Sequence, residues 1–395
     1  MKNNYIDRAK QIEEELTKMY QHFHQNPELS GEEWETQKWI LECLTSWGVE
    51  CRPCADTGVY AVIKSGKPGH TIAFRADIDA LPIKEQTGFS FQSKNDGKMH
   101  ACGHDAHTTI LLGSIKLLQE MKEQLVGNVV FLFQPAEEKD GGAKRMLAEH
   151  VLDNPPVELI VAFHMWPQPA HTITCLAGPV MAQSDSFKIM VTGKGGHGGL
   201  PHKAKNPITA LATMVPMLEK IPAMMVAAHE TAVVNICQIH GGDRYNVVSD
   251  QGFLEGTIRT FDSEIREDII RQIKKIAETV PEIYGMQGEL SLDSGYEPTI
   301  NDQVAATWAV DILAEKLSEV EIIGDDTPSM LGEDFSYFGQ QVAALFMWLG
   351  YWKADEAEQF PLHHKKFQID ETVLSEGVAA FCVLAEEFTK EGLKQ

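Results

Sequence analysis

TIAFRADID (71–79), VVFLFQPAEE (129–138) and LIVAFHMW (159–166) are short runs of Val, Ile, Leu and Phe that end on residues able to bind metals or move protons. Asp77 and Asp79 close the first run, Glu137 and Glu138 close the second, and His164 stands in the third. Between the first two, HACGHDAH (100–107) opens a helical stretch. Apolar runs of this length, separated by helical periodicity, read as buried parallel strands. In such sheets ligands bind beyond the carboxyl ends of the strands. Ligand-type side chains placed there in separate segments therefore imply one shared metal centre.

Outward from these runs, Ile6, Ala9, Ile12, Leu16, Met19 and Phe23 recur at three- and four-residue steps and predict an amphipathic helix over 5–24, ended by Asn26-Pro27. A second helix starts near Gly31, followed by strands at GVYAVI (58–63) and 71–76 and a helix over 104–124. A strand over 128–133, a helix near 142–150 and a strand over 158–163 continue the alternation. This pattern predicts an α/β fold, a doubly wound parallel or mixed sheet with helices on both faces. Near Ser184 the order changes to strand 185–192, helix 206–220, strands 231–240 and 252–260, helix 263–280 and strand 286–293. That βαββαβ order is a ferredoxin-like sandwich, a complete small domain. Helix 303–317, strand AALFMWLG (343–350) and helix 371–390 resume the first pattern. Two domains are expected, with 184–294 inserted between residues 1–183 and 295–395 of the catalytic domain.

Bulk properties narrow the class. A chain of 395 residues exceeds one ordinary core. The formal charge of −23 argues against nucleic acid or an anionic membrane as partner, since both need a basic face. No apolar run approaches the length of a bilayer span, and MKNNYIDRAK lacks the apolar segment of a secretory signal. Seven scattered cysteines suit reduced thiols, so a cytoplasmic protein is expected. Cys51 and Cys54 form CRPC without a second pair or a following helix, and read as ordinary thiols. His22 and His24, late in the first helix, read as structural or solvent-facing.

Cys102 and His104 lie two residues apart, on one side of an extended segment, and thiolate and imidazole both suit zinc-like ions. A position just before a helix also favours thiolate. The plainer alternative is a buried thiol beside a surface histidine. Glu137 and Glu138 are adjacent and are expected to point apart, one as ligand and one as proton acceptor, although a charged loop after a strand is the commoner arrangement. Either histidine of LHHKKF (362–367) could close the ligand set, and Asp77 and Asp79 could orient a ligand histidine from behind. Together these groups suffice for two ions, which suits amide hydrolysis.

HACGHDAH, FQPAEE, His164, GKGGHGGLPH (193–202) and GEDFSYF (332–338), in this order, resemble the metal-dependent amidohydrolases that include hippurate hydrolases, auxin-conjugate hydrolases and bacterial N-acyl-amino-acid deacylases. The resemblance runs from about residue 20 to 375. It implies a two-metal catalytic domain with an inserted domain that mediates dimerisation. It makes Cys102, His104, Glu138, His164 and His363 the ligands of two divalent ions, Zn2+ or Mn2+ with Co2+ or Ni2+ as substitutes, and Glu137 the general base. His363 is favoured over His364 by its distance from Phe367. The family's proline two positions later is replaced here by Lys365. His197 becomes an oxyanion donor, in many relatives reaching the partner subunit's site; the alternative is an incidental histidine in a glycine-rich turn. Asn246 and Arg259 correspond to substrate-contacting positions, with Arg259 equally readable as a solvated strand residue.

The expected function is metal-dependent hydrolysis of N-acyl amino acids to carboxylate and free amino acid by a homodimer or higher homo-oligomer. A dipeptidase or carboxypeptidase of the same site type, a non-catalytic binder of acylated amino acids, and an enzyme with Cys102 as nucleophile are the alternatives.

Overall fold

Wholly apolar runs are satisfied where both faces of a strand are covered, which is the middle of a sheet. The computed structural model, which describes residues 4–139, 141–353 and 358–393, places them there. One eight-stranded sheet runs, edge to edge, Glu50–Cys54, Gly58–Lys64, Asn128–Gln134, Thr71–Asp77, Leu159–Pro169, Ala343–Trp352, Thr172–Thr174 and Glu321–Ile323. The four strands from Asn128–Gln134 to Ala343–Trp352 run parallel to one another. Gly58–Lys64 and Glu50–Cys54 join antiparallel, so the sheet is mixed. Parallel direction puts the carboxyl ends of the central strands at one edge, where Asp77 pairs with Gln134 and His164 with Trp348.

Phe74, Phe131 and Phe133 have no exposed surface. Burying a side chain of that size contributes roughly 1.5–3 kcal/mol. The His104–Glu120 helix is buried continuously from His104 to Ile115, as a helix enclosed on all sides must be. It packs against the Thr71–Asp77 strand and the Glu13–Gln25 and Val373–Glu391 helices. Gly113 permits this closeness: a Cβ there would lie 2.5 Å from Leu16 Cδ2 and 2.7 Å from Val378 Cγ2.

The single helix expected over 5–24 is two, Tyr5–Gln11 and Glu13–Gln25. At Ile12 the chain tightens to three-residue hydrogen bonds, Ile12 N to Ala9 O and Glu15 N to Ile12 O. The break lets the first piece pack on Val373–Glu391 and the second on His104–Glu120. CRPC does not merely precede a strand; Glu50–Cys54 is itself the sheet's edge strand. Pro53 is tolerated there because an edge strand leaves N–H groups unpaired.

The chain divides into two compact units, Met1–Val180 with Ile300–Thr327 and Asp334–Gln395, and Met181–Thr299 with Pro328–Glu333. The second unit carries a four-stranded antiparallel sheet ordered Ala232–Gly241, Gln251–Thr260, Gln183–Thr192, Gln287–Ser294. Burial alternates along Gln183–Thr192 and Gln251–Thr260, the pattern of a sheet covered on one face. The Pro207–Leu218 and Ser263–Ile283 helices supply that cover, through Leu211, Met214, Ile269 and Ile273 packed with Ile189 and Leu254. Among the described residues no helix is long and apolar enough to cross a membrane.

Candidate metal centre

The chain reverses at Gly103, whose φ of +88° lies in the left-handed region. A Cβ there would sit 2.6 Å from Met165 Cγ, so both conformation and space call for glycine. The turn lets Cys102 and His104, the first residue of its helix, face one cluster. Cys102 Sγ lies 3.6 Å from His164 Nε2 and 3.2 Å from His363 Nε2. Glu138 Oε1 stands 3.2 Å from His363 Nε2 and 4.0 Å from His104 Nε2. Ligand-type atoms of Cys102, His104 and His164 lie within 4.8 Å of one another, as do those of Cys102, Glu138 and His363, and those of His104, Glu137 and Glu138.

The second nitrogen of each buried histidine is already committed. His104 Nδ1 donates to the Asp79 main-chain oxygen at 2.9 Å, with Asp79 Oδ1 at 3.2 Å, and His164 Nδ1 donates to Met165 O at 2.7 Å. Their Nε2 atoms are left facing the cluster. His104 Nε2 is buried without a hydrogen bond, an arrangement that costs about 1–3 kcal/mol unless something satisfies it. Two ligands bound about 2.1 Å from a tetrahedral cation stand roughly 3.4 Å apart. The observed separations fit divalent cations.

The electrostatics at His104 and Cys102 are those of protonated ligands, whose protons a bound cation would displace. Burial alone would depress His104, but Asp77 and Asp79 outweigh it and push its pKa up to about 10. Burial, with His107 adding to it, holds His164 well below the usual imidazole range. Cys102 departs from expectation: burial and the Glu138 and Glu137 carboxylates raise its thiol well above the ordinary range. The helix end does not make a thiolate here, whereas a bound cation would.

Glu137 and Glu138 each place a carboxylate oxygen within 4.8 Å of a His104 ring nitrogen, while Glu137 also groups with Asp334 and Glu138 with Cys102 and His363. Ala136, with φ of +53°, turns the chain just before them, its N–H donating to Glu33 at 2.8 Å. The Glu138 N–H donates to Asp79 Oδ2 at 3.0 Å. Of the two late histidines, His363 joins the cluster, its N–H tied to Ala101 O at 2.7 Å. His364 instead stacks on Phe360, rings 4.8 Å apart. In the second unit, exposed His197 sits in a two-residue ladder opposite Val247, and the next residue's N–H donates to Asn246 O at 2.8 Å. Arg259 is half-buried, donating to Ile258 O at 3.0 Å and Asp185 O at 3.4 Å, so it is not simply solvated.

Several residues of the first unit escaped the sequence reading. Arg75, fully buried, donates to Asp77 Oδ2 at 2.7 Å, Asp334 Oδ1 at 3.0 Å and Gln134 Oε1 at 2.8 Å. His107 pairs with Asp77. Of the two readings of His24 the structural one holds: it is 1% exposed, with Nδ1 2.7 Å from Asp105 and Nε2 3.2 Å from Glu85. Burial alone would lower its pKa, but the two carboxylates raise it to about 9. The folded protein thus holds a proton that the unfolded chain releases near pH 6.5. The contribution, ~3 kcal/mol, is complete below that pH and lost as the pH rises towards about 9. Unfolding free energies of metal-free wild type and His24→Gln should therefore converge across this window. A gap that stays constant from pH 6 to 9.5 would contradict it.

A model of Peptidase family M20/M25/M40 matches residues 73–387. The chain is 39% identical over 365 residues to an N-acetyl-L-cysteine deacetylase of Bacillus subtilis, covering 92% of this chain and 85% of the relative. It is 34% identical to thermostable carboxypeptidase 2 of Saccharolobus solfataricus, covering 97% and 98%. Among solved structures, a dinuclear metal-binding peptidase from the M20 family of Bacillus subtilis superposes with a TM-score of 0.83 at 35% identity, covering 96% and 99%.

Proposed function

This chain belongs to peptidase family M20/M25/M40, an enzyme of metal-dependent amide hydrolysis, and from that premise we propose that it cleaves N-acyl amino acids to a carboxylic acid and a free amino acid. The observation that carries the reading is the convergence of Cys102, His104 and His164, with His104 Nε2 buried and making no hydrogen bond. Cys102, His104, Glu138, His164 and His363 hold two divalent cations, Zn2+ or Mn2+. When bound, the pair polarises the amide carbonyl and acidifies water. Glu137 takes the proton of the attacking water and returns it to the leaving nitrogen. His197 donates to the carbonyl oxygen as negative charge develops, and Asn246 and Arg259 contact the substrate, the guanidinium suiting its carboxylate. Asp79 holds the His104 ring, and Asp77 backs the site through its neighbours. The second unit pairs two copies into a homodimer. Seven free thiols fit a reducing cytoplasm.

The acyl substrate is favoured by the identity to a deacetylase and the rival peptide substrate by the identity to a carboxypeptidase. Profiling separates them. Protein stripped with a chelator and reloaded with zinc or manganese should hydrolyse N-acetyl and N-benzoyl amino acids with kcat/KM at least about tenfold above dipeptides and blocked peptides, and should lose turnover on stripping; tenfold is about 1.4 kcal/mol of transition-state preference. Faster peptide cleavage overturns the substrate assignment. Turnover indifferent to chelation overturns the mechanism.

A further inference from the structure

His107 lies in HACGHDAH, one helical turn beyond His104, and takes no part in the proposed cation set. Its Nε2 accepts a hydrogen bond from the Met165 main-chain N–H at 2.8 Å. An N–H only donates, so Nε2 carries the lone pair and the ring proton sits on Nδ1. Nδ1 faces Asp77 Oδ1 at 2.5 Å, and the other oxygen of Asp77 accepts from Arg75. Both ring nitrogens are committed. His107 could reach a cation only by releasing Met165.

The Met165 backbone is gripped on both sides. Its N–H is held by His107, and its carbonyl accepts from His164 Nδ1 at 2.7 Å. The His107 and His164 rings lie 4.9 Å apart, and Gly103 closes against the Met165 side chain. Rotation at Met165 would carry its carbonyl off, and with it the bond that keeps His164 Nε2 towards Cys102 Sγ, 3.6 Å away. We propose that His107 is a positioning residue for the cation site: anchored by Asp77, it fixes the Met165 backbone and thereby the ring of His164. The inference rests on the assignment of His164 as a ligand.

Two substitutions separate positioning from bulk packing. His107→Asn keeps a donor where Nδ1 stands but offers Met165 no acceptor; His107→Gln places an amide oxygen near the Nε2 position and restores it. Chelator competition on the full-length protein should show Zn2+ and Co2+ bound about 10–100-fold more weakly in the Asn variant. The Gln variant should recover to within several-fold of wild type. The visible bands of the cobalt-loaded Asn variant should shift from those of wild type, while melting of the metal-free proteins reports the fold separately. Equal loss of affinity in both variants, tracking metal-free melting, would overturn the proposal, and so would wild-type affinity in both. Should the wild type itself bind neither ion, the ligand assignment falls first. If the Asn variant does not fold, 15N-histidine spectra of zinc-loaded wild type, with the Gln variant identifying the His107 signals, decide: a neutral ring protonated on Nδ1 supports it, and a cationic ring or one protonated on Nε2 refutes it.

Discussion

Replacing Glu137 with Gln is expected to lower kcat by about 10²–10⁴-fold while leaving the cations in place. The amide matches the carboxylate in size and can still accept a hydrogen bond from water, but it cannot take the proton. That loss corresponds to roughly 3–5 kcal/mol of barrier. The five proposed ligands are untouched, so zinc or manganese content after gel filtration should match wild type. Both readouts matter, because Glu137 lies within 4.8 Å of ligand atoms of His104 and Glu138. Turnover within a few-fold of wild type would remove Glu137 as the base. Lost turnover together with lost metal would make it a ligand instead. The rival in which Cys102 attacks the amide predicts a different signature, alkylation that abolishes activity with metal content unchanged. It starts from a disadvantage, since burial and two carboxylates hold that thiol well above the range where it would ionise.

What was legible beforehand follows from how local each signal is. TIAFRAD and VVFLFQ are buried on nearly every side chain, so their apolar runs announce central strands without reference to anything distant. The alternating burial of Gln183–Thr192 and Gln251–Thr260 is equally local. Glu50–Cys54 is the opposite case. Exposed at Glu50, Arg52 and Pro53, it becomes a strand only because Gly58–Lys64 offers it an edge. The break at Ile12 likewise answers to two different packing partners that helical periodicity does not contain.

Within the site, residue type was legible and hydrogen bonding was not. His104 and His107 sit three residues apart in one motif, yet one presents an unpartnered Nε2 and the other spends its Nε2 on Met165. Spacing gives no hint of that division, which depends on a strand more than fifty residues away. The approach of Glu137 and Glu138 to His104 follows a positive φ at Ala136, a residue whose identity does not advertise it. GEDFSYF stands out as a motif, but its aspartate gains a counter-charge only from Arg75, 259 positions away.

Replacing Arg75 with Met should destabilise the protein by about 3–5 kcal/mol, because it strands the buried Asp334 carboxylate and takes one of three partners from Asp77. The guanidinium contacts Asp77 and Asp334, and all three side chains are fully enclosed. Gln134 and the Ala143 N–H also donate to Asp334, but neither supplies a charge. The deficit should depend on pH in a definite direction. Burial would raise Asp77, yet His104, His107 and Arg75 hold it well below the ordinary carboxylate range. Its stabilising contribution is therefore present above about pH 4 and lost as the pH falls through the folded-state value. Without Arg75 part of that contribution is absent from the start, so wild type has more to lose on acidification. Burial also pushes Asp334 up, with Arg75 opposing, and removing the guanidinium lets that carboxyl protonate more readily. Urea unfolding of the chelated proteins should show a gap that is widest near pH 7.5, narrows towards pH 4 as Asp334 protonates in the variant, and narrows further below pH 4 as wild type loses the Asp77 contribution. Adding Asp334→Asn to the Met variant should recover part of the loss, since it removes one stranded charge while keeping an acceptor for Ala143. A gap independent of pH, or a double variant no more stable than the single, would mean that Arg75 acts through its packing volume and not through its charge.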